Sequence, residues 1–191
     1  PCLLEYKLKG QITIQNLLNK SAKKCLFDTD ADDTDENDSI DVINSSGSID
    51  IPKLLFIANK WNSLISGYLF KLYQIDKYDW LTDQCVYECV ERLESLGISK
   101  NSYFEETLST ELDTMIISGN IDCIDNEHLK LYEFKCVSTL QPEHFIQLAI
   151  YMYLHLHICG DASFTYYLYN VLTGEKYSIT GTIDNLHRML E

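Results

Sequence analysis

The sequence predicts an α/β fold, with a central mixed β-sheet flanked by helices and preceded by an N-terminal helical region. Three patterns carry that reading. Between Pro52 and Gly97 the apolar residues recur at helical spacing. From Tyr103 to Val137 the period shortens to two. One strongly apolar helical run, opening at Pro142, then separates those strands from an alternating aromatic pair at 164–180. A length of 191 residues supplies one sizeable core. We therefore expect one domain over 1–191, divided into an acidic loop or insertion (28–50), a helical part (52–97) and a core (103–191).

Residues 1–27 read as partly helical, with Ile12, Ile14, Leu17 and Leu18 on one side and Lys20, Lys23 and Lys24 on the wet side. The stretch 28–50 is rich in Asp, Asn, Ser and Thr and buries too little apolar area to offset the entropy of ordering. It is not an EF-hand, because Asp33 stands where a loop opening at Asp28 needs glycine. Pro52 suits the first turn of a helix, and the spacing from Leu54 to Leu72 predicts that helix to run nearly 20 residues. A second helix is predicted over 81–96, with Cys85, Val86, Cys89, Val90, Leu93 and Leu96 inward and a stop at Gly97. Glu88, Glu91 and Glu94 form its solvated flank. Strands follow at 103–112, 114–124 and 129–137, with a hairpin connection at 125–128. A helix over 142–157 ends at Gly160, strands at 164–172 and 176–180 turn through Gly174, and Asp184 is expected to cap a last helix at 185–190.

Net charge excludes a protein that coats nucleic acid through bulk electrostatics, since 29 acidic residues face 15 basic ones. The excess is uneven: residues 28–41 carry eight acids and no base, and the remaining 21 acids leave a net of −6. The seven cysteines are odd in number and scattered, several in apolar periodic segments, which predicts reduced, buried thiols. The pair Cys85 and Cys89 lacks the second pair a zinc or iron–sulfur site needs. No apolar run reaches membrane-spanning length: 145–158 is interrupted by Gln147, His155 and His157. The chain opens at Pro1 without a basic n-region or a cleavage site. The expectation is an intracellular domain, cytoplasmic or nuclear, excerpted from a larger polypeptide and neither secreted nor membrane-bound.

The chemistry concentrates between Ser118 and Tyr151. Side chains alternate along a strand, so Glu133 and Lys135 share one face while Tyr132, Phe134 and Cys136 share the other. Two charges inside the apolar segment 129–137 are unfavourable without a partner. Asp122, across one hairpin on an isoleucine-rich strand, supplies one, and Gly119 nearby lets another backbone or a ligand approach closely. Asp122 and Glu133, with a main-chain carbonyl near Phe134, would offer oxygen ligands of the kind magnesium prefers. Lys135 would serve as a point charge beside them. Gln147 and Tyr151 stand one helical turn apart and share a face, with His144 on the same face as a further candidate.

Gly119-Asn-Ile-Asp122, then Glu133-Phe-Lys135, then Gln147-Leu-Ala-Ile-Tyr151 resembles the PD-(D/E)XK nuclease superfamily, in its RecB-like branch with the order G-x-x-D, E-x-K, Q-x-x-x-Y. The similarity covers about residues 103–172. It implies a restriction-endonuclease-like core and phosphodiester hydrolysis dependent on Mg²⁺ or Mn²⁺. It casts Asp122 and Glu133 as metal ligands, Lys135 as the catalytic lysine, and Gln147 and Tyr151 as substrate-binding or site-organising residues. Ile121 stands where the family's name has proline. Many members carry a further upstream ligand; with no histidine before His128, Glu105 and Glu106, or Glu91 and Glu94, are the candidates. Only Cys159 follows the motif helix closely, so no iron–sulfur cluster is expected.

The resemblance thus leads to a DNA nuclease of replication, recombination or repair. It would act on single-stranded DNA or free ends, with other domains of the same polypeptide, such as a helicase, as partners. The acidic balance supports an alternative, a catalytically weak nuclease fold that binds DNA or protein. A third reading is an RNA endonuclease, against which the absence of an upstream histidine counts.

Overall fold

A computed structural model of the chain describes residues 2–9, 50–68, 70, 75, 77–78, 82–112, 115–160 and 162–190. The chain divides into two compact units, residues 2–87 and residues 88–191. The lysine-bearing part of the first predicted helix and the acidic stretch 28–49 lie outside the described residues.

In the first unit, α1 spans Cys2–Lys9 and α2 spans Ile51–Ser66. Asp50 caps α2 by accepting the Lys53 N–H at 3.1 Å, and Pro52 occupies the first turn. Leu54, Ile57 and Ser63 are buried on it. Outside the buried face, Asn59 donates to the Tyr78 hydroxyl at 2.7 Å, and the Phe56 and Tyr78 rings meet edge to face. The helical spacing that predicts continuation to Leu72 is cut short, because Gly67 takes φ +71° and ends α2 in a left-handed cap. Helix α3 spans Asp83–Glu94, and from Glu88 onward it belongs to the second unit. Val90 and Leu93 are buried as expected, but Cys85 is exposed and Val86 and Cys89 are only half-buried, so the inward stripe is narrower than predicted. Gly97, with φ +62°, closes it by donating its N–H to the Glu94 carbonyl. Glu88, Glu91 and Glu94 are solvated, as the sequence predicts.

The second unit is built on a five-stranded mixed sheet flanked by helices. Its strands are β1 (Tyr103–Leu112), β2 (Met115–Asp125), β3 (Lys130–Lys135), β4 (Thr165–Asn170) and β5 (Lys176–Ile179), in spatial order β1-β2-β3-β4-β5. Neighbours are antiparallel except β3 and β4, which run parallel. A parallel return needs a crossover, and α4 (Pro142–Cys159) provides it. Pro142 stands in its first turn, Gln141 and His144 form a reciprocal cap, and Gly160, with φ +65°, ends it. Its middle, residues 151–155, is buried on consecutive positions. A helix buried all round has neighbours on both sides. Here they are the sheet and α5 (Ile183–Leu190), whose Leu186 joins the same core as Ile121, Leu131, Leu148, Leu154 and Leu168. The cap of α5 differs from the expected one: Thr182 accepts the Asn185 N–H, and Asp184 lies inside the first turn.

The opposite face of the sheet is aromatic. Tyr132 stacks on Phe134 and Tyr167, Phe134 meets Tyr169 edge to face, and the Lys176 ammonium sits 4.0 Å from the Tyr167 ring centroid. The last turn of α3 is tied to this side, since Tyr169 donates to the Arg92 carbonyl and the Arg92 guanidinium donates to the Val171 carbonyl. The prediction of buried thiols holds for Cys123; Cys85, Cys136 and Cys159 are exposed, because each falls at the wet edge or end of its segment. Among the described residues no helix is long and apolar enough to cross a membrane.

Candidate active site

Strands β1 and β2 pair from Tyr103–Ile124 to Leu112–Met115 with one position, Glu105 opposite Asp122, left out of the ladder, and β2 pairs with β3 only from Asp125 back to Cys123. Asp122 sits where β2 and β3 part. Its side chain takes over there from the ladder: the Phe134 N–H donates to Asp122 Oδ2 at 2.7 Å. The strand is irregular at this point. Ile121 and Ile124 both enter the core although three residues apart, which strict alternation forbids. Across the ladder, between Phe104–Cys123 and Glu106–Ile121, stands Glu105 with φ +54°, a conformation uncommon for a residue with a side chain. The register itself places Asp122 on the face that carries Glu133 and Lys135: Ile124 pairs with Leu131, and Asp122 and Glu133 each lie two residues further along their strands.

Glu133 is 2% exposed, on the strand between β2 and β4. Its Oε1 accepts from the Lys135 ammonium at 2.6 Å, and its Oε2 is buried without a partner. Lys135 makes a second bond, to Gln147 Oε1 at 2.7 Å, and Gln147 Nε2 donates to the Tyr151 hydroxyl at 2.8 Å. Glu133, Lys135, Gln147 and Tyr151 thus form one hydrogen-bonded chain, with the Asp122 carboxylate beside it. Gly119 seats its far end: a Cβ there would lie 2.4 Å from Tyr151 Cε1. The close approach at this glycine is made by a tyrosine ring, in place of the backbone or ligand expected there.

Burial drives the electrostatics. It raises the Glu133 carboxyl from its ordinary 4.5 to about 8, helped by the Asp122 charge and opposed by Lys135. Burial also raises Asp122, against the Phe134 N–H and the Lys135 charge. The Tyr151 hydroxyl is pushed up to about 12, by burial first and then by Glu133. Two carboxylates held together, one with a buried unpaired oxygen, suit a hard divalent cation, which magnesium sites satisfy with one or two carboxylates plus water and phosphate. Among the described residues no three His, Cys, Asp or Glu side chains gather as a metal cluster, so none of Glu91, Glu94, Glu105 or Glu106 completes a ligand trio. Glu105 is half-buried and stands opposite Asp122 between two ladder pairs, whereas Glu106, Glu91 and Glu94 are exposed. His144 is engaged elsewhere: its Nδ1 accepts the Gln141 N–H at the start of α4.

Sequence reasoning passed over Asp125. It is 1% exposed and accepts from the Ser99 N–H at 3.1 Å, the His128 N–H at 3.3 Å and the His128 ring at 2.8 Å. The signal was its position, an aspartate closing an isoleucine-rich strand three residues before a histidine. An apolar cleft of about 540 Å³ between α4 and β5, lined by Met152, Leu156, Phe164 and Ile179, shares no residue with the carboxylate pair. No protein-family model matches this chain, and no curated protein or solved structure matches it significantly.

Proposed function

We propose that the chain is a metal-dependent nuclease domain with a restriction-endonuclease-like core, hydrolysing DNA phosphodiester bonds. The observation that carries this reading is the Asp122–Glu133 pair beside Lys135, with the Glu133 Oε2 buried and unpaired. A fold keeps such a group only against its desolvation cost, and a ligand-binding site is one place where that cost is met. Asp122 and Glu133 would hold Mg²⁺ or Mn²⁺. When bound, the cation supplies Lewis-acid polarisation of the scissile phosphate and lowers the pKa of the attacking water. Lys135 places a compact positive charge where negative charge grows in the transition state. Gln147 holds that ammonium from the helix side. The wall of Ile121, Leu131 and Leu148 behind the pair keeps the local dielectric low, which strengthens each of these interactions.

The acidic balance favours a second reading, a nuclease fold that binds without cleaving. Cleavage of labelled single- and double-stranded DNA with Mg²⁺, with Mn²⁺ and with chelator, in wild type and Asp122→Ala, separates the two. Metal-dependent cleavage that disappears in the variant is the expected result. A folded wild-type protein that binds DNA and cleaves neither substrate would establish the binding module instead.

A further inference from the structure

We infer that Tyr151 and Gly119 are positioning residues that aim the Lys135 ammonium. The inference rests on the nuclease reading of the site. Lysine has three N–H donors and no acceptor. Lys135 places two of its donors on Glu133 Oε1 and Gln147 Oε1, at 2.6 and 2.7 Å. Two fixed bonds on a tetrahedral nitrogen fix the direction of the third. The Glu133 end of this fork stands on the rigid middle of the sheet. The Gln147 end stands on a long, rotatable side chain, and a second anchor is needed to hold it.

That anchor is the Tyr151 hydroxyl. The ammonium can accept nothing, so it selects the amide orientation that presents Oε1, and this leaves Nε2 for Tyr151 at 2.8 Å. The tyrosine ring is itself wedged: it is 8% exposed and lies where a side chain at Gly119 would stand. The ring cannot move toward the sheet without striking β2, and the helix holds it from behind. The order of dependence is therefore Gly119, Tyr151, Gln147, Lys135. Tyr151 is assigned to the lysine and not to substrate contact.

The test is a two-by-two comparison. Tyr151→Phe keeps the ring and removes the hydroxyl. It should lower kcat about tenfold with KM changed less than twofold, the pattern of a transition-state effect. Gln147→Glu replaces the amide by a carboxylate that pairs with Lys135 by charge and needs no second anchor. In that background Tyr151→Phe should lower kcat less than twofold further. Equal losses in both backgrounds, or a raised KM with kcat intact, would overturn the inference. Gly119→Ala should lower kcat at least as far as Tyr151→Phe, with secondary structure preserved by circular dichroism.

A readout without activity keeps the two levels of the argument apart. In the metal-free protein, the Gln147 side-chain amide protons should exchange with solvent at least fivefold faster in Tyr151→Phe, as followed by NMR. Unchanged exchange overturns the anchor whether or not the protein cleaves DNA. Faster exchange in Tyr151→Phe, together with a wild type that cleaves nothing, would sustain the anchor and remove the nuclease reading. Wild-type cleavage with an unaffected Tyr151→Phe would do the reverse.

Discussion

Strand β2 carries two inward carboxylates three residues apart, and they are treated in opposite ways. Asp125 closes the strand with its acceptors filled by Ser99 and His128, and those hydrogen bonds outweigh burial and lower its pKa. Asp122 sits where the ladder opens, against Glu133, whose Oε2 has no partner, and burial wins there and raises both. The two places share one sheet and one hairpin. The difference lies in how many donors meet each carboxylate: three reach Asp125, whereas Asp122 has the single Phe134 N–H and a second carboxylate beside it. A carboxylate whose acceptors are filled is part of the frame; one left with spare acceptors beside another is available to a ligand.

The sharpest way to break this contrast is at Lys135. Lys135→Ala should abolish cleavage while far-UV circular dichroism and the unfolding transition stay near wild type; full activity in that variant would take Lys135 out of the mechanism. At the other carboxylate the expectation reverses. Asp125→Ala strands the buried Ser99 N–H and frees the 125–128 turn, and should cost about 2 kcal/mol in urea unfolding. It should leave the cleavage rate of the folded fraction within twofold of wild type. A collapse of rate without loss of stability would mean the two ends of the hairpin are not functionally distinct.

Acidity gives a smaller and more specific test. A carboxyl raised in the folded state contributes stability that is full below its unfolded pKa and is lost as pH rises through the folded one. Glu133 therefore predicts that the metal-free protein loses thermal stability between its ordinary 4.5 and about 8. Asp125, lowered from 3.8, contributes stability that is present above that value and is lost as pH falls below it. Melting curves in chelator should show both limbs, and Glu133→Gln should flatten the upper one alone. Mg²⁺ should raise the melting temperature more at pH 8 than at pH 6, because protons compete for its ligands. An effect of magnesium that is equal at both values would detach the cation from this pair.

Much of the frame was legible because periodicity reports it. Alternation alone put Glu133 and Lys135 on one face, and the polar run 125–128 announced its turn. The errors fall where one residue overrides a pattern. Tyr68 continues the helical spacing of α2, yet Gly67 had already taken a left-handed conformation. Asp184 is a good cap by type, but Thr182 was the residue in place. Gln147 and Tyr151 were placed correctly on one helical face, but their link to Lys135 needs the third dimension. So does the demand on Gly119, which no spacing rule could tell from a turn glycine. His144 shared that face by spacing, and its first-turn position diverted it to the helix cap.

The parallel pairing of β3 with β4 has a consequence for how the chain assembles. Everything from Gly119 to Tyr151 is one unbroken run, and the β1–β2–β3 meander closes through short connections. Strand β4 can join only after the chain has travelled through α4 and returned, which is the slower, less local event. A growing or refolding chain therefore brings its two acidic side chains together early, while the surface that later encloses them is still open to water. Their mutual repulsion is met first under full hydration, and it is confined only when the crossover packs.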